Sequence, residues 1–334
     1  MSEKSNRLSV LIVTWDGDAL LTRCLDSIVA ARGELPEIVV VDNADLASTR
    51  ELVARYAGAK YVPSPTNLGF AGGNNLGLSR CTGEYIVLLN NDTEVEADSF
   101  TQLVCFADAH PAAGAVQGRI VRDDGRLDYC GMDMSPIGQM AARGLCEERT
   151  DLRFAQPYRV CAASGAFMLV RRSAIRAMGD RLFRDEFKSY YEDVDLCIRL
   201  WMCGYEVWYC PTAPVLHHGG MTARRLALSG VAEQGFCNRW YSILMSWGIL
   251  GRLYLLPQLF VLLFGHAFFS LLRGDATMLA MQTRVLGKVF SRRKAIRSER
   301  KRFLPLRKRS DLSVFRQIIV HQPWSYYRRL LATT

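Results

Sequence analysis

The sequence has no paired-cysteine motif. Its ten cysteines run from Cys24 to Cys237, none as Cys-x-x-Cys, and the closest set, Cys197, Cys203 and Cys210, fits no zinc signature. That argues against a zinc centre and for a reducing compartment with free, mostly buried thiols. No apolar leader is visible, since Met1 to Arg7 is polar and the next run reads as a strand. There is no internal repeat, and no Gly-x-Gly-x-x-Gly phosphate loop. Excess charge is missing from most of the chain. The net charge is +9 over 334 residues, yet Ser291 to Arg309 holds ten Lys or Arg against one acid, Glu299. The remainder carries 32 residues of each sign. A neutral body with a basic tail is not a nucleic-acid-coating protein, and no nucleic-acid partner is expected.

What is present is strand alternating with helix. Leu8–Trp15 and Tyr85–Asn90 read as buried strands, Glu37–Asp42 as a second strand and Lys60–Pro63 as a third, shorter one. Apolar spacing predicts helices over Leu20–Ala31, Ser48–Ala57 (with Ser48 as cap) and Ala97–His110. Asn67–Asn75 reads as a glycine-rich loop entering a helix that ends near Cys81, a place where backbone approaches a flat ligand. The pattern is that of a Rossmann-like, mostly parallel sheet with helices on both faces. After Ala115 it loosens into hairpins with turns at Gly125, Gly131 and Gly138. Ala166–Arg171 and Val207–Cys210 restore strands, and Asp193–Cys203 a helix ended by Gly204.

Four polar clusters follow a strand or open a helix: Asp42-Asn43, Asn90-Asn91-Asp92-Thr93, Glu192-Asp193 with Asp195, and His217-His218. Open α/β sheets bind ligands past the carboxyl ends of their strands, so these clusters are expected along one rim. A carboxylate ending the second strand suits a ribose or base, or is a turn residue. Asp92 with a distant imidazole suits Mg²⁺ or Mn²⁺, or His217 is a packed histidine. For Asp193, the helix N-terminus favours the anion while crowding by Glu192 and Asp195 opposes it. That pair is either a general base with its neighbour or an acidic first turn.

In this order the clusters resemble the family 2 inverting glycosyltransferases of GT-A fold, nearest the rhamnosyltransferase-like branch. The resemblance covers about Leu8 to Thr222. It rests on Val-Thr-Trp15, Val-Val-Asp42-Asn43, Asn67-Leu-Gly-Phe-Ala-Gly-Gly-Asn-Asn75, Leu-Leu-Asn90-Asn-Asp92-Thr, Ser164-Gly165-Ala166, Tyr191-Glu-Asp193-Val-Asp195-Leu-Cys-Ile-Arg199 and Val-Leu-His217-His-Gly-Gly. It implies Thr14, Asp42, Asn67, Gly69, Asn75 and Asn91 on the nucleotide-sugar donor. It implies Ser164, Gly165 and Glu192 on the acceptor, and Asp193 as general base. Asp92, His217 and Asn90 would hold a divalent metal, Mg or Mn. Two positions depart from the family pattern: Asp16 stands where Asn is usual, and Asn90 takes the first place of the Asp-x-Asp motif.

The implied organisation is a catalytic domain over 1–225, with a nucleotide-sugar-binding half (1–115) and an acceptor and metal half (116–225). A helical, apolar and basic membrane-associating region over 226–334 completes it. Leu253–Leu272 contains no Asp, Glu, Lys or Arg and has the length of a membrane span. One crossing would strand the basic tail outside, against the positive-inside tendency. The expectation is therefore an in-plane or re-entrant hairpin broken near Pro257, with the tail on an anionic membrane surface. That places a peripheral or monotopic enzyme at the cytoplasmic face, with a lipid-linked or polysaccharide acceptor. Two classes compete with this reading. One is a processive synthase, whose Gln-x-x-Arg-Trp motif is met here only at Arg239-Trp240, with Gln234 at the wrong spacing upstream. The other is a non-catalytic nucleotide-sugar-binding scaffold.

Overall fold

The computed structural model describes residues 7–15, 19–219, 228–272, 274, 276–324, 326 and 328. Asp16 and the stretch from Gly220 to Thr222, both part of the motif reading, lie outside the described residues.

The first half runs β1 (Leu8–Thr14), α1 (Ala19–Ala30), β2 (Glu37–Asp42), α2 (Ala47–Val53), β3 (Lys60–Pro63), α3 (Gly69–Leu78) and β4 (Tyr85–Asn90). Then come β5 (Thr93–Val95), α4 (Ser99–Ala109), β6 (Ala113–Gln117), β7 (Ile120–Arg122), β8 (Met132–Met134), β9 (Met140–Ala142), β10 (Tyr158–Arg159), β11 (Phe167–Arg171) and α5 (Arg172–Ala177). α6 (Glu192–Met202), β12 (Glu206–Tyr209) and β13 (Val215–His217) close this N-terminal part.

Eight strands form one sheet in the order β10-β12-β6-β11-β4-β1-β2-β3. β4, β1, β2 and β3 are mutually parallel, whereas β11 runs antiparallel between β4 and β6. The branched runs explain the centre. Val10, Ile12, Val40 and Val87 point into one core, under α1 and α4. Leu11, Val39, Val41 and Leu88 point into the other, under α3 and α6. Alternation of side chains with both faces covered makes these strands apolar throughout.

Three local expectations are corrected. Gly69–Leu78 is a helix, not a ligand-facing loop. A Cβ at Gly73 would lie 2.7 Å from Val13 Cγ1, and one at Gly77 2.3 Å from Leu11 Cδ1. The glycines let the helix lie close on β1 and β2, which offsets their helix penalty of about 1 kcal/mol each. The helix after β2 starts at Ala47 and is not capped by Ser48; its N-cap position, Leu46, has no side-chain cap bond. The Asp42 carboxylate instead accepts from Ala44 N–H at 2.9 Å and Leu46 N–H at 2.8 Å. Ala113–Gln117, where the pattern loosens, is a sheet strand buried at all five positions.

The C-terminal region is helical: α7 (Leu228–Ser246), α8 (Ile249–Leu272), α9 (Thr277–Ser291), α10 (Arg293–Phe303) and α11 (Asp311–Ile318). α8 continues through Pro257, so no hairpin breaks there. The basic tail is partly drawn into the body. Arg300 donates to the Leu244 and Trp247 carbonyls, and Arg309 to those of Trp201, Gly204 and Tyr205 at the end of α6. Asp311 accepts from the N–H groups of Gly248 and Gly251 at the start of α8.

Candidate active site

Asn90, Asn91 and Asp92 stand where β4 leaves the sheet. The chain turns at once into β5, which pairs with β13 so that His217 faces Thr93. A three-stranded sheet, β5-β13-β7, thereby carries a residue 125 positions downstream of Asp92 to its side. His217 Nε2 lies 3.4 Å from Asp92 Oδ1 and 3.4 Å from the Asn90 amide. Asp92 Oδ1 is buried and has no hydrogen-bond partner; at 3.4 Å the imidazole is an ion-pair neighbour only. A buried carboxylate oxygen left open beside an imidazole is the donor chemistry of a divalent cation.

His217 Nδ1 is held at 2.8 Å by Asp128 Oδ2. Burial opposes protonation of this imidazole, but the carboxylates of Asp128 and Asp92 outweigh it and push the pKa up to about 9. A carboxylate behind a histidine fixes the ring and makes it a better ligand. Sequence reasoning missed Asp128, since nothing around it marks it and only β7-β13 pairing brings it in. His218 is placed otherwise, bridging Asp123 and Glu94 at 2.6 Å each. Among the described residues no three His, Cys, Asp or Glu side chains converge as a metal cluster. Two such residues with Asn90 would leave a divalent cation to complete its coordination with oxygens from outside the chain.

The second cluster opens α6. Asp193 Oδ1 accepts from Val194 N–H at 2.7 Å, and Oδ2 from Gly165 N–H at 3.3 Å. Glu192 is 8% exposed and its Oε2 has no partner. Burial raises both carboxyls above their ordinary values; the charge of Asp193 adds to the effect at Glu192, while backbone N–H bonds moderate it at Asp193. Asp195 does not crowd them. It is wholly buried between Arg184 at 2.6 Å and Arg199 at 2.8 Å, and these guanidiniums hold it below its usual range despite burial. The two clusters are physically linked. Gly165 touches Asp193, and the next carbonyl, of Ala166, accepts from Asn90 N–H.

Other predicted residues divide. Asn91 donates to Thr14 Oγ1 at 3.1 Å, joining the ends of β4 and β1. Asn67 Oδ1 accepts from Gly69 N–H, and Gly69 O from Asn43, at the start of α3. Ser164 N–H donates to Gln117 Oε1, leaving its hydroxyl beside Ala166 N–H. Two of the residues expected on the donor are engaged in the fold's own hydrogen bonds. Asn75 uses both ends of its amide on Phe183, with Asp185 as a further acceptor, so it straps that segment to α3. Asp42 is fully buried and accepts three hydrogen bonds, the third from Tyr61 at 3.0 Å. Its carboxylate shapes the β2–α2 turn. Two cavities of about 460 and 510 Å³ lie elsewhere, along Arg307–Asp311 and beside β3.

The architecture is that of GT-A transferases. It superposes on GalNAc-T7 with UDP, GalNAc and Mn²⁺ (TM-score 0.57, 17% identity, 74% of this chain and 49% of that one). It also superposes on the mannosyltransferase PcManGT of Pyrobaculum calidifontis with GDP-Man and Mn²⁺ (TM-score 0.51, 17% identity, 92% and 85%). The chain belongs to glycosyl transferase family 2, whose family model matches residues 9–179. Relatives include N-acetylglucosaminyl-diphospho-decaprenol L-rhamnosyltransferase of Mycobacterium tuberculosis, 28% identical over 289 residues (76% of this chain, 92% of that protein). Rhamnosyltransferase WbbL of Escherichia coli is 24% identical over 223 residues (63% and 82%). Against the uncharacterized protein y4gI of Sinorhizobium fredii, 26% identical over 230 residues (63% of this chain), the match spans only 24% of that protein's length.

Proposed function

We propose that this enzyme is an inverting glycosyltransferase that moves a sugar from a nucleotide-diphosphate donor to a hydroxyl of a lipid-linked or cell-surface glycan acceptor. dTDP-rhamnose is the first donor to test and UDP-sugars the next, because two relatives are rhamnosyltransferases by name. The observation that carries the reading is the open carboxylate of Asp92 beside His217, linked through Ala166 and Gly165 to the buried acids of α6.

Asp92, His217 and Asn90 would hold Mg²⁺ or Mn²⁺, and such a cation supplies charge stabilisation for a departing diphosphate. Asn91 and Thr14 line the donor side with Asn67 and Gly69. Asp193 takes the proton of the acceptor hydroxyl, its carboxylate aimed by the N–H groups of Gly165 and Val194. Glu192 and Ser164 face the acceptor. A single displacement at the anomeric carbon inverts it.

Asp193→Asn tests the assignment. Transfer should fall about 10²–10⁴-fold while donor affinity stays unchanged. A donor screen reading nucleotide diphosphate release, with and without Mn²⁺, supplies the assay. Unchanged transfer by Asp193→Asn would defeat the catalytic reading.

The enzyme is further proposed to lie on the cytoplasmic face of the membrane as a peripheral or monotopic protein. α8 is long and apolar enough to cross a bilayer by length and composition. Leu255, Leu259, Leu263 and Ala267, four residues apart, are nevertheless buried along one face. The opposite face, with Leu253, Val261, Phe268 and Leu272, is apolar and exposed, which fits a helix lying in the interface.

A further inference from the structure

The turn that delivers Glu192 and Asp193 is strained and is held from the C-terminal helices. Tyr190 and Tyr191 are consecutive left-handed residues, with φ of 69° and 70°. Left-handed backbone is disfavoured for a non-glycine residue, and two in succession are rare. Neither is glycine, so the surroundings must impose the shape. On one side the Lys188 carbonyl accepts from Ala71 N–H at 3.0 Å, and Ser189 Oγ accepts from Phe70 N–H at 3.3 Å. A Cβ on Gly69 would lie 2.5 Å from that Lys188 oxygen. On the other side stands Asn238, in α7 and fully buried. Its Nδ2 donates to the carbonyls of Ser189 at 3.0 Å and Tyr190 at 2.6 Å. Its Oδ1 accepts from Gln234 Nε2 at 2.8 Å, which fixes the amide with its N–H groups toward the turn.

We propose that Asn238 is a positioning residue for sugar transfer: it clamps the double left-handed turn and so sets the direction of Asp193 at the start of α6. The C-terminal helices then complete the catalytic site rather than only anchoring it. The inference rests on Asp193 being the base.

The test uses the full chain and measures kcat, donor affinity and thermal midpoint together. Asn238→Ala should lower kcat about tenfold to a hundredfold, the scale of a misplaced reactive group, with donor affinity unchanged. Asn238→Asp keeps the shape but turns an oxygen on two carbonyls, and should be at least as damaging. Tyr190→Gly in the Asn238→Ala background should recover activity relative to Asn238→Ala alone, because glycine adopts this conformation without the clamp. Tyr190→Gly alone controls for the lost ring. Gln234→Ala, at a half-buried position, should lower kcat in the same direction by less, and it carries the test if Asn238→Ala does not fold. An unchanged kcat in the folded Asn238 or Gln234 variants, a parallel loss of donor affinity, or purely additive effects of the glycine change overturns the clamp. If Asp193→Asn itself transfers normally, the base assignment has failed, and that result is separate from any of these.

Discussion

The acids of the site do different work. Asp195 is neutralised by two arginines and serves the fold; Glu192 is buried with its Oε2 unpartnered. A carboxyl whose folded pKa lies above its unfolded value keeps a proton that the unfolded chain has lost, so stability falls as pH rises between the two values. Glu192→Gln removes that cost. Its thermal midpoint should exceed that of the parent at pH 8–9, by about 1–2 °C per kcal/mol relieved for a chain of this length, and the gain should vanish below the unfolded carboxyl range. A pH series of thermal melts reads this directly. The raised carboxyl of Asp193 has a kinetic counterpart: the acidic limb of transfer should sit closer to neutrality than an ordinary aspartate would place it. Asp128 acts on His217 from behind. Asp128→Asn should weaken Mn²⁺ binding about 10–100-fold, measurable by titration calorimetry without any turnover. Because the imidazole must lose its proton to bind a cation, affinity should also rise with pH toward the His217 value near 9.

At the scale of elements, β1, β2 and β4 were legible because each is a run of branched residues buried on both faces, whereas the shorter β3 is mostly exposed. Asp92, Glu192-Asp193 and His217 were legible as clusters at element ends. What joins them was not. β5, β7 and β13 are three residues each, too short to give a period, yet their pairing alone places His217 beside Asp92 and Asp128 behind it. Asn75 was placed on the donor only by the family resemblance; its amide is bonded to Phe183. The glycines themselves read as a loop by composition, and packing decided otherwise. Gly77 sits where a methyl group would meet Leu11 and Val41 at 2.3 and 2.7 Å. Both are fully buried strand residues with little room to yield. Gly77→Ala should therefore destabilise by about 1–3 kcal/mol despite its better helix propensity, and chemical denaturation gives the sign. A gain in stability would show that α3 can lift off the sheet.

For the whole molecule the question is how a neutral catalytic body would reach the lipid-linked acceptor proposed for it. α8 presents an apolar face to solvent, and α9 packs on both α7 and α8. The tail that follows is not a free polybasic arm. Arg300 and Arg309 are engaged with the body and Arg307 with Asp311, whereas Arg293, Lys294, Arg297, Lys301 and Arg302 remain exposed. Both ends of the helical region are tied to the catalytic half, through Asn238 and through Arg309 on α6. A crossing by α8 alone would separate parts that are in contact, so the membrane interface is the environment proposed here for its apolar face and the exposed cations. Two forces then act on binding to vesicles. Screening at 1 M salt shortens the Debye length to about 3 Å and should weaken, not abolish, association with anionic vesicles. Leu253→Glu with Val261→Glu should abolish it at every salt concentration, since each change sets a charge where about 25 cal/mol per Å² of apolar burial is otherwise gained. Co-sedimentation with vesicles containing or lacking anionic lipid separates the two terms. Transfer to a short soluble acceptor should survive the double change, because both residues lie on the exposed face of α8. Retention of vesicle binding by the double variant would place the membrane contact elsewhere on the molecule.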